Sequence, residues 1–416
     1  MENGEGKLKG FRVVEFATYV AGPAATRVLA DWGAEVIKVE SFAGDGYRSN
    51  CRIYDAPSER NDVDPCFDVC NVNKTFISVD LRTEEGQEII HSLLKDADVF
   101  LTNTRFQSLE KLGLLYEQIK DRYPRLIYAH MLGYGEFGEE RNSAGYDYTC
   151  YGARGGITGS LYDAGGPPMI GGPAFGDLQS GMSMTAGILA ALLQRERTGK
   201  GDRVTVALHG VGVYMLHLLH TATQFGTYSF PVTRKVFPTP TNNTYQAQDG
   251  SWIQLTIPDY NKDFNRFVEA IGLPELKDHP EYSKIAILRS SGKLREFTEI
   301  VENCFATATA AEWTARLKEA DLAHEICRVS KEVLVDPEAW DNKYLRKVTY
   351  ANGEEYIGFN NPIRYDSIEE NPFVPADSIG AHTSEVLSAL GYSEDEIQDM
   401  IEKNVVRQGE PGQAKS

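Results

Sequence analysis

Short apolar runs alternate with amphipathic segments through the first half of the chain. Strands are predicted at "FRVVEFA" (11–17), "EVIKVE" (35–40), "FISVDL" (76–81), "DVFLTN" (98–103), "LIYAHML" (126–132) and "DRVTVAL" (202–208). Helices are predicted over 24–32, 83–97, 116–123 and 209–224, and from Asp177 to the Thr198–Gly201 run. Because parallel strands need helical crossovers, this order predicts an α/β fold with a parallel sheet. Ligands of such folds bind beyond the carboxyl ends of the strands.

Length and charge limit the class of protein further. The 416 residues exceed one simple core and indicate two domains. A net charge of −18 without any basic tract argues against a nucleic-acid partner. No stretch reaches the roughly 18 apolar residues of a membrane span, and the opening "MENGEGKLKG" has no apolar signal-peptide core. We therefore expect a cytoplasmic protein with no membrane partner.

The cysteines and histidines give little sign of a metal site. Six cysteines are scattered along the chain, at 51, 66, 70, 150, 304 and 327, a pattern typical of free thiols in a reducing compartment. The C-x3-C pair of Cys66 and Cys70 has no second pair to complete a ligand set. His217 and His220 are three residues apart on a predicted helix but lack a third ligand. No metal is expected.

The composition changes in the middle of the chain. A run rich in Pro, Thr and Asn over 225–245 indicates a linker or an active-site loop. A second, helix-rich unit begins at "SWIQLTI" (251–257). Two helix starts carry a capping box, Thr309 with Glu312 and Ser393 with Glu396. By contrast, the stretch 41–75 is predicted to be mostly irregular.

Several common catalytic patterns are missing. Residues 11–40 form a βαβ unit that ends on Glu40, where a ribose-binding acid would lie. Its turn, "VAGPAA" (20–25), lacks the G-x-G-x-x-G pattern that lets a backbone approach a pyrophosphate. A nicotinamide-dependent redox enzyme is therefore disfavoured. Neither a P-loop nor a G-x-S-x-G nucleophile motif occurs in the sequence.

Asp177, in "GGPAFGDLQSGM" (171–182), has two interpretations. As the residue before an apolar helix it is an ordinary N-cap. The same place also suits an anionic nucleophile, because the helix dipole keeps the carboxylate ionised and Gly176 would let a substrate come close. The local sequence does not separate the two.

A resemblance to a known family covers about residues 8–406. The opening "LKGFRVVEFATYVAGPAATRVLADWGAEVIKVESFAGDGYR" and "NVNKTFISVDLRTEEGQEII" (71–90) resemble the N-terminal signature of the family III CoA-transferases, also called the formyl-CoA transferase or carnitine-CoA transferase family. "LEKLGL" (109–114), "HMLGYGEFG" (130–138), "GDLQSGM" (176–182), "ALLQRERTGKGDRVTVAL" (191–208) and "GAHTSEVLSALGYSEDEIQDMIEKNVV" (380–406) are similar to later family segments in the expected order.

The resemblance implies roles for individual residues. Asp177 would be the nucleophile that carries CoA as an aspartyl thioester. Coenzyme A would be a substrate, as its thioester, and no tightly bound cofactor is implied. The implied CoA contacts are Val20, Ala21, Leu81, Arg82, Asn103, Arg105, Lys111, Gly133 and Tyr134. Arg82, Arg105 and Lys111 are the favoured phosphate-binding cations, and Arg48 and Arg154 are weaker candidates.

The resemblance also narrows the substrate. Formyl-CoA members have a tetraglycine loop where this chain has "RKVFPTPTNNTY" (234–245), so formate and oxalate are disfavoured. Some members also have a lysine where this chain has Leu132. "GYDYTCYGARGGITGSLYDAGGPP" (145–168) looks like the subgroup acting on 2-hydroxy acids such as (R)-phenyllactate or (R)-2-hydroxyisocaproate, with the enoyl-CoA as donor. Tyr146, Tyr148, Tyr151 and Phe175 suit an apolar acid, or else a core.

Other functions stay open. A carnitine-type or bile acid is an alternative acceptor. An acyl-CoA racemase of the same superfamily needs a histidine base, and none occurs between His130 and His209. A non-enzymatic acyl-CoA-binding protein would tolerate Asp177→Asn.

The implied architecture has two domains. A Rossmann-like large CoA-binding domain would comprise 1–215 completed by 346–416, and a smaller α/β domain 230–345, with 216–229 as linker. The chain would be ring-like and would form an interlocked homodimer.

Overall fold

The computed structural model describes residues 6–48, 64–226, 230–368 and 371–410. Cys51 and residues 227–229 of the predicted linker lie outside these ranges. The chain divides into two compact units. The larger contains Met1–Thr158, Ile170–Leu218 and Pro337–Ser416, and the smaller contains Gly159–Met169 and Leu219–Asp336.

These units differ from the predicted boundaries in three places. The predicted linker 216–229 is divided between the units after Leu218. The C-terminal return to the larger unit begins at Pro337 rather than at 346, and residues 159–169 belong to the smaller unit. The assignment of residues 159–169 to the smaller unit has a local cause. The backbone N–H of Ala164 donates to the Val232 carbonyl over 3.1 Å, and the Asp163 carboxylate accepts from the Arg234 N–H at 2.8 Å.

The strands and helices of both units are as follows. The strands are β1 (Arg12–Phe16), β2 (Glu35–Glu40), β3 (Thr75–Val79), β4 (Val99–Thr102), β5 (Ile127–Leu132), β6 (Arg203–Ala207), β7 (Thr244–Gln246), β8 (Trp252–Leu255), β9 (His324–Ile326), β10 (Leu345–Thr349), β11 (Glu355–Phe359) and β12 (Val406–Arg407). The α-helices are α1 (Ala21–Asp31), α2 (Pro65–Asn71), α3 (Glu84–Lys95), α4 (Phe106–Lys111), α5 (Tyr116–Ile119), α6 (Ile157–Ser160), α7 (Phe175–Thr198), α8 (Leu208–Met215), α9 (His217–Thr223), α10 (Tyr260–Ala270), α11 (Ile285–Ser290), α12 (Leu294–Phe305), α13 (Ala310–Glu319), α14 (Ser330–Val333), α15 (Pro337–Asp341), α16 (Thr383–Ala389) and α17 (Glu394–Glu402).

The larger unit is built on a seven-stranded sheet with the order β12-β3-β2-β1-β4-β5-β6. All neighbours are parallel except β12, which runs antiparallel to β3. The predicted α/β class with a large parallel sheet is thus confirmed. The strand order reverses between β1 and β4, so the chain after these two strands forms the crevice where such sheets bind ligands.

Helices cover both faces of this sheet, as the continuous apolar strands require. Side chains on one face of the sheet, such as Val14, Phe100 and Tyr128, pack in a core with α3, α16 and α17. Side chains on the other face of the sheet pack in a second core with α1 and α7. α1 and α7 approach closely because Gly181 has no side chain: a Cβ there would lie 2.8 Å from that of Ala24.

The smaller unit has an antiparallel sheet, β7-β8-β9, and a separate apolar core. Its large buried side chains include Trp313, Phe297 and Phe305. The predicted capping box of Thr309 and Glu312 starts α13 in this unit. That of Ser393 and Glu396 starts α17 in the larger unit. Both predictions are confirmed.

Three segments differ from the sequence-based expectation. Helix α2 lies within the stretch expected to be irregular, and it begins with Asp64 as N-cap and Pro65 as first helical residue. The predicted helix 209–224 is two helices, α8 and α9, separated at Leu216. Residues Asp147–Arg154 form a π-helical segment that no sequence pattern indicated.

Candidate active site

Asp177 is the third residue of α7, not its cap. The N-cap position is held by Ala174 in a left-handed conformation (φ 60°), and its side chain makes no capping hydrogen bond. The cap comes from Asp147, whose carboxylate accepts the Gly176 N–H over 2.9 Å and also faces the N–H groups of Phe175 and Asp177. Among the described residues, the Asp177 carboxylate has no hydrogen bond or ion pair. Its interpretation as an N-cap is therefore wrong.

Gly176 is required by packing. A Cβ at this position would lie 2.1 Å from Cγ of Tyr151 and 2.4 Å from an Oδ1 atom of Asp147. Its missing side chain thus makes room for the π-helical segment. The hypothesis that Gly176 lets a substrate come close to Asp177 stays a prediction.

Glycines also fix the π-helical segment, and with it Asp147. A Cβ on Gly155 would lie 2.9 Å from the Cα of Gly212 in α8. On the other side, a Cβ on Gly133 would lie 2.9 Å from the Cα of Gly145 and 3.2 Å from Sγ of Cys150. π-Helical turns are rare and are frequently found at functional sites, and this one aims a carboxylate at the start of α7.

The surroundings of Asp177 disfavour its negative charge. Burial, and then the neighbouring charge of Asp147, raise the pKa of Asp177 from 3.8 to about 7. Burial also raises the pKa of Asp147, against the effect of the three N–H groups that it accepts. An unpaired carboxylate with a pKa near neutrality is a feature of catalytic acids, bases and nucleophiles.

This unfavourable charge predicts a gain in stability from Asp177→Asn. A carboxyl group whose folded pKa is raised contributes stability below pH 4 that is lost as the pH rises through about 7. We expect Asp177→Asn to raise the melting temperature by about 2–4 °C at pH 8 and to leave it unchanged at pH 4. Calorimetry at both pH values measures this, with the exposed Asp121→Asn as control. Equal shifts at both pH values would contradict it.

The turn between β1 and α1 lies at the strand-order reversal. Tyr19 has a left-handed backbone (φ 62°), and its N–H donates to Asp45 Oδ1 at 2.8 Å. Asn103, just after β4, clamps Thr18: its Nδ2 donates to the Thr18 carbonyl at 2.7 Å and its Oδ1 accepts the Thr18 N–H at 3.1 Å. Val20 and Ala21 follow with buried side chains.

A buried charge network supports this turn. Lys38, with a fully buried side chain, contacts Glu15 at 2.6 Å and Asp45 at 2.9 Å. Lys74 contacts the other oxygen of Glu15 at 2.7 Å. Burial alone would raise the pKa of Glu15, but the two ammonium groups outweigh it and lower this pKa to about 2. Lys38 also donates to the carbonyl of Ala17 at 2.8 Å, which ties the network to the start of the turn.

The remaining predicted CoA contacts fall into two groups. Leu81 is buried in the core, and the exposed Arg82 makes a bidentate ion pair with Asp80, with contacts of 2.8 and 2.6 Å. By contrast, Arg105 and Lys111, at the two ends of α4, are exposed and have no ion-pair partner among the described residues. These two remain available to a phosphate.

The other predicted cations and contacts are engaged with protein. Arg48 pairs with Glu40 at 2.7 Å and donates to the Asp377 carbonyl at 2.8 Å. Arg154 lies 5.5 Å from the ring centroid of Tyr134. Gly133 and Tyr134 are the two residues that follow β5, so they also lie at the carboxyl edge of the sheet.

Sequence reasoning missed Asp147. Its capping role depends on a π-helical segment that places it 29 residues before Gly176, whose N–H it accepts, and no local pattern links the two. In the described parts of the chain, no group of three or more His, Cys, Asp or Glu side chains could hold a metal ion. Likewise, none of the helices in these parts is long and apolar enough to cross a membrane.

Comparison with known proteins identifies the class. The model of CoA-transferase family III matches residues 8–383. The chain belongs to this family and is a CoA-transferase.

Its relatives cover nearly the whole chain. The (R)-2-hydroxy-4-methylpentanoate CoA-transferase of Clostridioides difficile is 39% identical over 96% of this chain and 99% of the relative. The cinnamoyl-CoA:phenyllactate CoA-transferase of Clostridium sporogenes is 37% identical over 96% and 97%. A crystal structure from Mycobacterium tuberculosis, 29% identical, covers 92% of this chain and all of its own with a TM-score of 0.79. A CAIB/BAIF family protein of Brucella suis, 27% identical, covers 94% and all of its own at 0.78.

Proposed function

We propose that this protein transfers CoA from an enoyl-CoA to a free 2-hydroxy acid through a thioester on Asp177. The observation that carries the proposal is the Asp177 carboxylate, which is left without a partner because Asp147 caps α7. An uncommitted carboxylate in the first helical turn can attack a carbonyl without first breaking an interaction.

The reaction balances without an oxidant, a metal or ATP. A carboxylate oxygen of Asp177 attacks the thioester carbonyl, the C–S bond breaks, and CoA leaves as thiolate. The thiolate attacks Cγ of Asp177 in the resulting anhydride, which releases the donor acid and leaves an aspartyl-CoA thioester. The acceptor carboxylate then runs the two steps in reverse. Because one thioester replaces another, the free-energy change is small.

The raised pKa of Asp177 predicts a pH profile. The first step needs the ionised carboxylate, so kcat/KM for the donor should fall about tenfold per pH unit below about 7. Asp147→Asn keeps an oxygen that can cap α7 and removes the neighbouring charge. We expect the midpoint to move about one unit toward acid. Stopped-flow or steady-state rates between pH 5 and 9 measure both. A wild-type midpoint near 4 would contradict this account.

Exposed aromatic side chains around Asp177 favour an apolar acid. Tyr146, next to the capping Asp147, is 54% exposed, and Phe175, two residues before Asp177, is 56% exposed. The ring of Tyr19 lies edge-on to that of Tyr146 at 6.0 Å. Both relatives with the highest identities given above are named for 2-hydroxy acids with hydrophobic side chains. Of the four predicted aromatics, Tyr151 is instead buried in the core.

An acceptor series tests this substrate class. Purified protein with cinnamoyl-CoA is offered (R)-phenyllactate, (R)-2-hydroxy-4-methylpentanoate, carnitine, oxalate and formate, and product CoA esters are separated by chromatography. We expect kcat/KM for one of the two hydroxy acids to exceed that for oxalate at least a hundredfold. Preference for oxalate or carnitine would overturn the substrate class but leave the transferase intact.

The racemase alternative finds no support at this site. His130, in β5, is buried; burial lowers its pKa to about 4, and its Nε2 lies 2.8 Å from the Thr104 carbonyl. It is thus unsuited to remove an α-proton. Exchange of that proton in deuterium oxide without CoA transfer would favour the racemase instead.

We also propose that two copies of the chain assemble. Leu178, Met182 and Leu193 share one side of α7, and Leu193 is 58% exposed. Tyr214 on α8 is 68% exposed. Soluble monomers seldom expose so many large apolar side chains together, and a second copy would cover them. Light scattering should show a dimer that Leu193→Glu weakens; a wild-type monomer at micromolar concentration would contradict this.

A further inference from the structure

Arg141 lies on an aromatic stack at the carboxyl edge of the sheet. It belongs to the 3₁₀ turn Glu139–Asn142 that follows β5. Its guanidinium carbon is 4.7 Å from the ring centroid of Phe106. That ring in turn meets the imidazole of His130 edge-on, with 4.8 Å between the ring centroids. Arg141, Phe106 and His130 together form what is called the stack below. The stack therefore joins the ends of β4 and β5 and fixes where the guanidinium lies.

The guanidinium of Arg141 makes no ion pair within the described ranges. Of the acidic residues near it in sequence, Glu136 pairs with Arg203 at 3.0 Å and Glu140 with Arg154 at 3.8 Å. Over the described ranges, Arg141 itself has no carboxylate partner. Arg105, directly before Phe106, is unpaired in the same sense. Arg141 and Arg105 are thus two unpaired cations near the ends of β5 and β4 in a chain of net charge −18.

The position suits one end of a long substrate. The side chains of Tyr128 and His130 point to the same face of the sheet, because they are two residues apart in β5. Tyr128 packs in the core on the face opposite α1 and α7. The stack thus lies on the sheet face opposite Asp177, at the same edge. Acyl-CoA is an extended molecule with its thioester at one end and its phosphates at the other, so it can reach both places.

We propose that Arg141, held by Phe106, binds the phosphates of the nucleotide end of acyl-CoA, with Arg105 as its companion. This rests on the proposed function, since it names the partner of that site. A guanidinium forms paired hydrogen bonds to phosphate, and stacking on Phe106 lowers the conformational cost of ordering the arginine. Phe106 is the positioning residue.

Two substrates separate this role from a structural one. Arg141→Ala should raise KM for cinnamoyl-CoA about 10–100-fold with kcat unchanged. Cinnamoyl-pantetheine, which has the same thioester but no nucleotide, should show no change. The matched control is Arg122→Ala, because Arg122 also stacks on a ring, that of Tyr123 at 5.5 Å, but precedes β5 at the other edge of the sheet. It should leave both substrates unaffected.

The contrary outcomes are distinct. Equal losses with both substrates would make Arg141 structural, and no loss with either would overturn its role. If the wild type transfers nothing, the proposed function fails, yet calorimetry with free CoA still tests this inference. Arg141→Ala should then weaken CoA binding about 10–100-fold relative to wild type, and unchanged binding would refute the phosphate contact.

Discussion

Asp177→Asn abolishes CoA transfer while CoA binding is retained. Asparagine has nearly the same shape but no nucleophilic oxygen anion, so neither the anhydride nor the aspartyl thioester can form. We expect kcat to fall by at least about 10³-fold, because covalent catalysis is lost as a whole rather than weakened. The fold should be kept, since the Asp177 side chain makes no hydrogen bond or ion pair among the described residues.

The control for this prediction is Asp147→Asn, which changes a neighbouring carboxylate by the same chemistry. It should retain transfer above neutral pH. Activities are measured with cinnamoyl-CoA and phenyllactate, and CoA affinity by calorimetry. If Asp177→Asn kept more than a tenth of wild-type kcat, Asp177 would not be the nucleophile. If wild-type protein bound CoA but transferred none to any acid tested, the binding-protein alternative would gain support.

Lys38→Met strongly destabilises the larger unit. It removes the ammonium group that contacts both Glu15 and Asp45. Glu15 then keeps its ion pair with Lys74, and Asp45 loses its ion pair with Lys38. Breaking a buried ion pair from one side costs about 3–5 kcal/mol. We expect a loss of this size in the free energy of unfolding at pH 7, measured by urea titration.

A double variant and a surface variant make this prediction specific. Adding Glu15→Gln to Lys38→Met restores the charge balance and should recover part of the loss. Lys120→Met removes an exposed lysine paired with Glu117 and should leave the free energy of unfolding nearly unchanged, because solvent screens exposed ion pairs. A loss of less than about 1 kcal/mol for Lys38→Met would show that the network contributes little to stability.

The parallel sheet could be predicted because buried strands and amphipathic helices have distinct periods over many residues. The strand 35–40 agrees with β2 residue for residue. The break at Leu216 and the π-helical segment Asp147–Arg154 could not be predicted in this way. The geometry of that segment depends on packing against Gly176 and Gly212 rather than on a local repeat.

The candidate site was predictable in part. Asp177 could be located at a helix start, but its role depended on which group caps α7. That group, Asp147, is brought there by tertiary structure. The sequence makes Arg48 a candidate phosphate ligand, because an arginine after a strand looks the same in sequence whether it faces solvent or a buried glutamate. The Arg141–Phe106 stack likewise joins two strand ends that are distant in sequence.

Intact-protein mass spectrometry tests the covalent mechanism most directly. Wild-type protein is mixed with cinnamoyl-CoA without acceptor, and any adduct is mapped by peptide fragmentation. We expect a mass gain of one CoA less one water on Asp177, which is lost when phenyllactate is added and is absent from Asp177→Asn. If the protein turns over cinnamoyl-CoA and phenyllactate but carries no adduct, or carries it on another residue, the aspartyl-thioester mechanism is wrong.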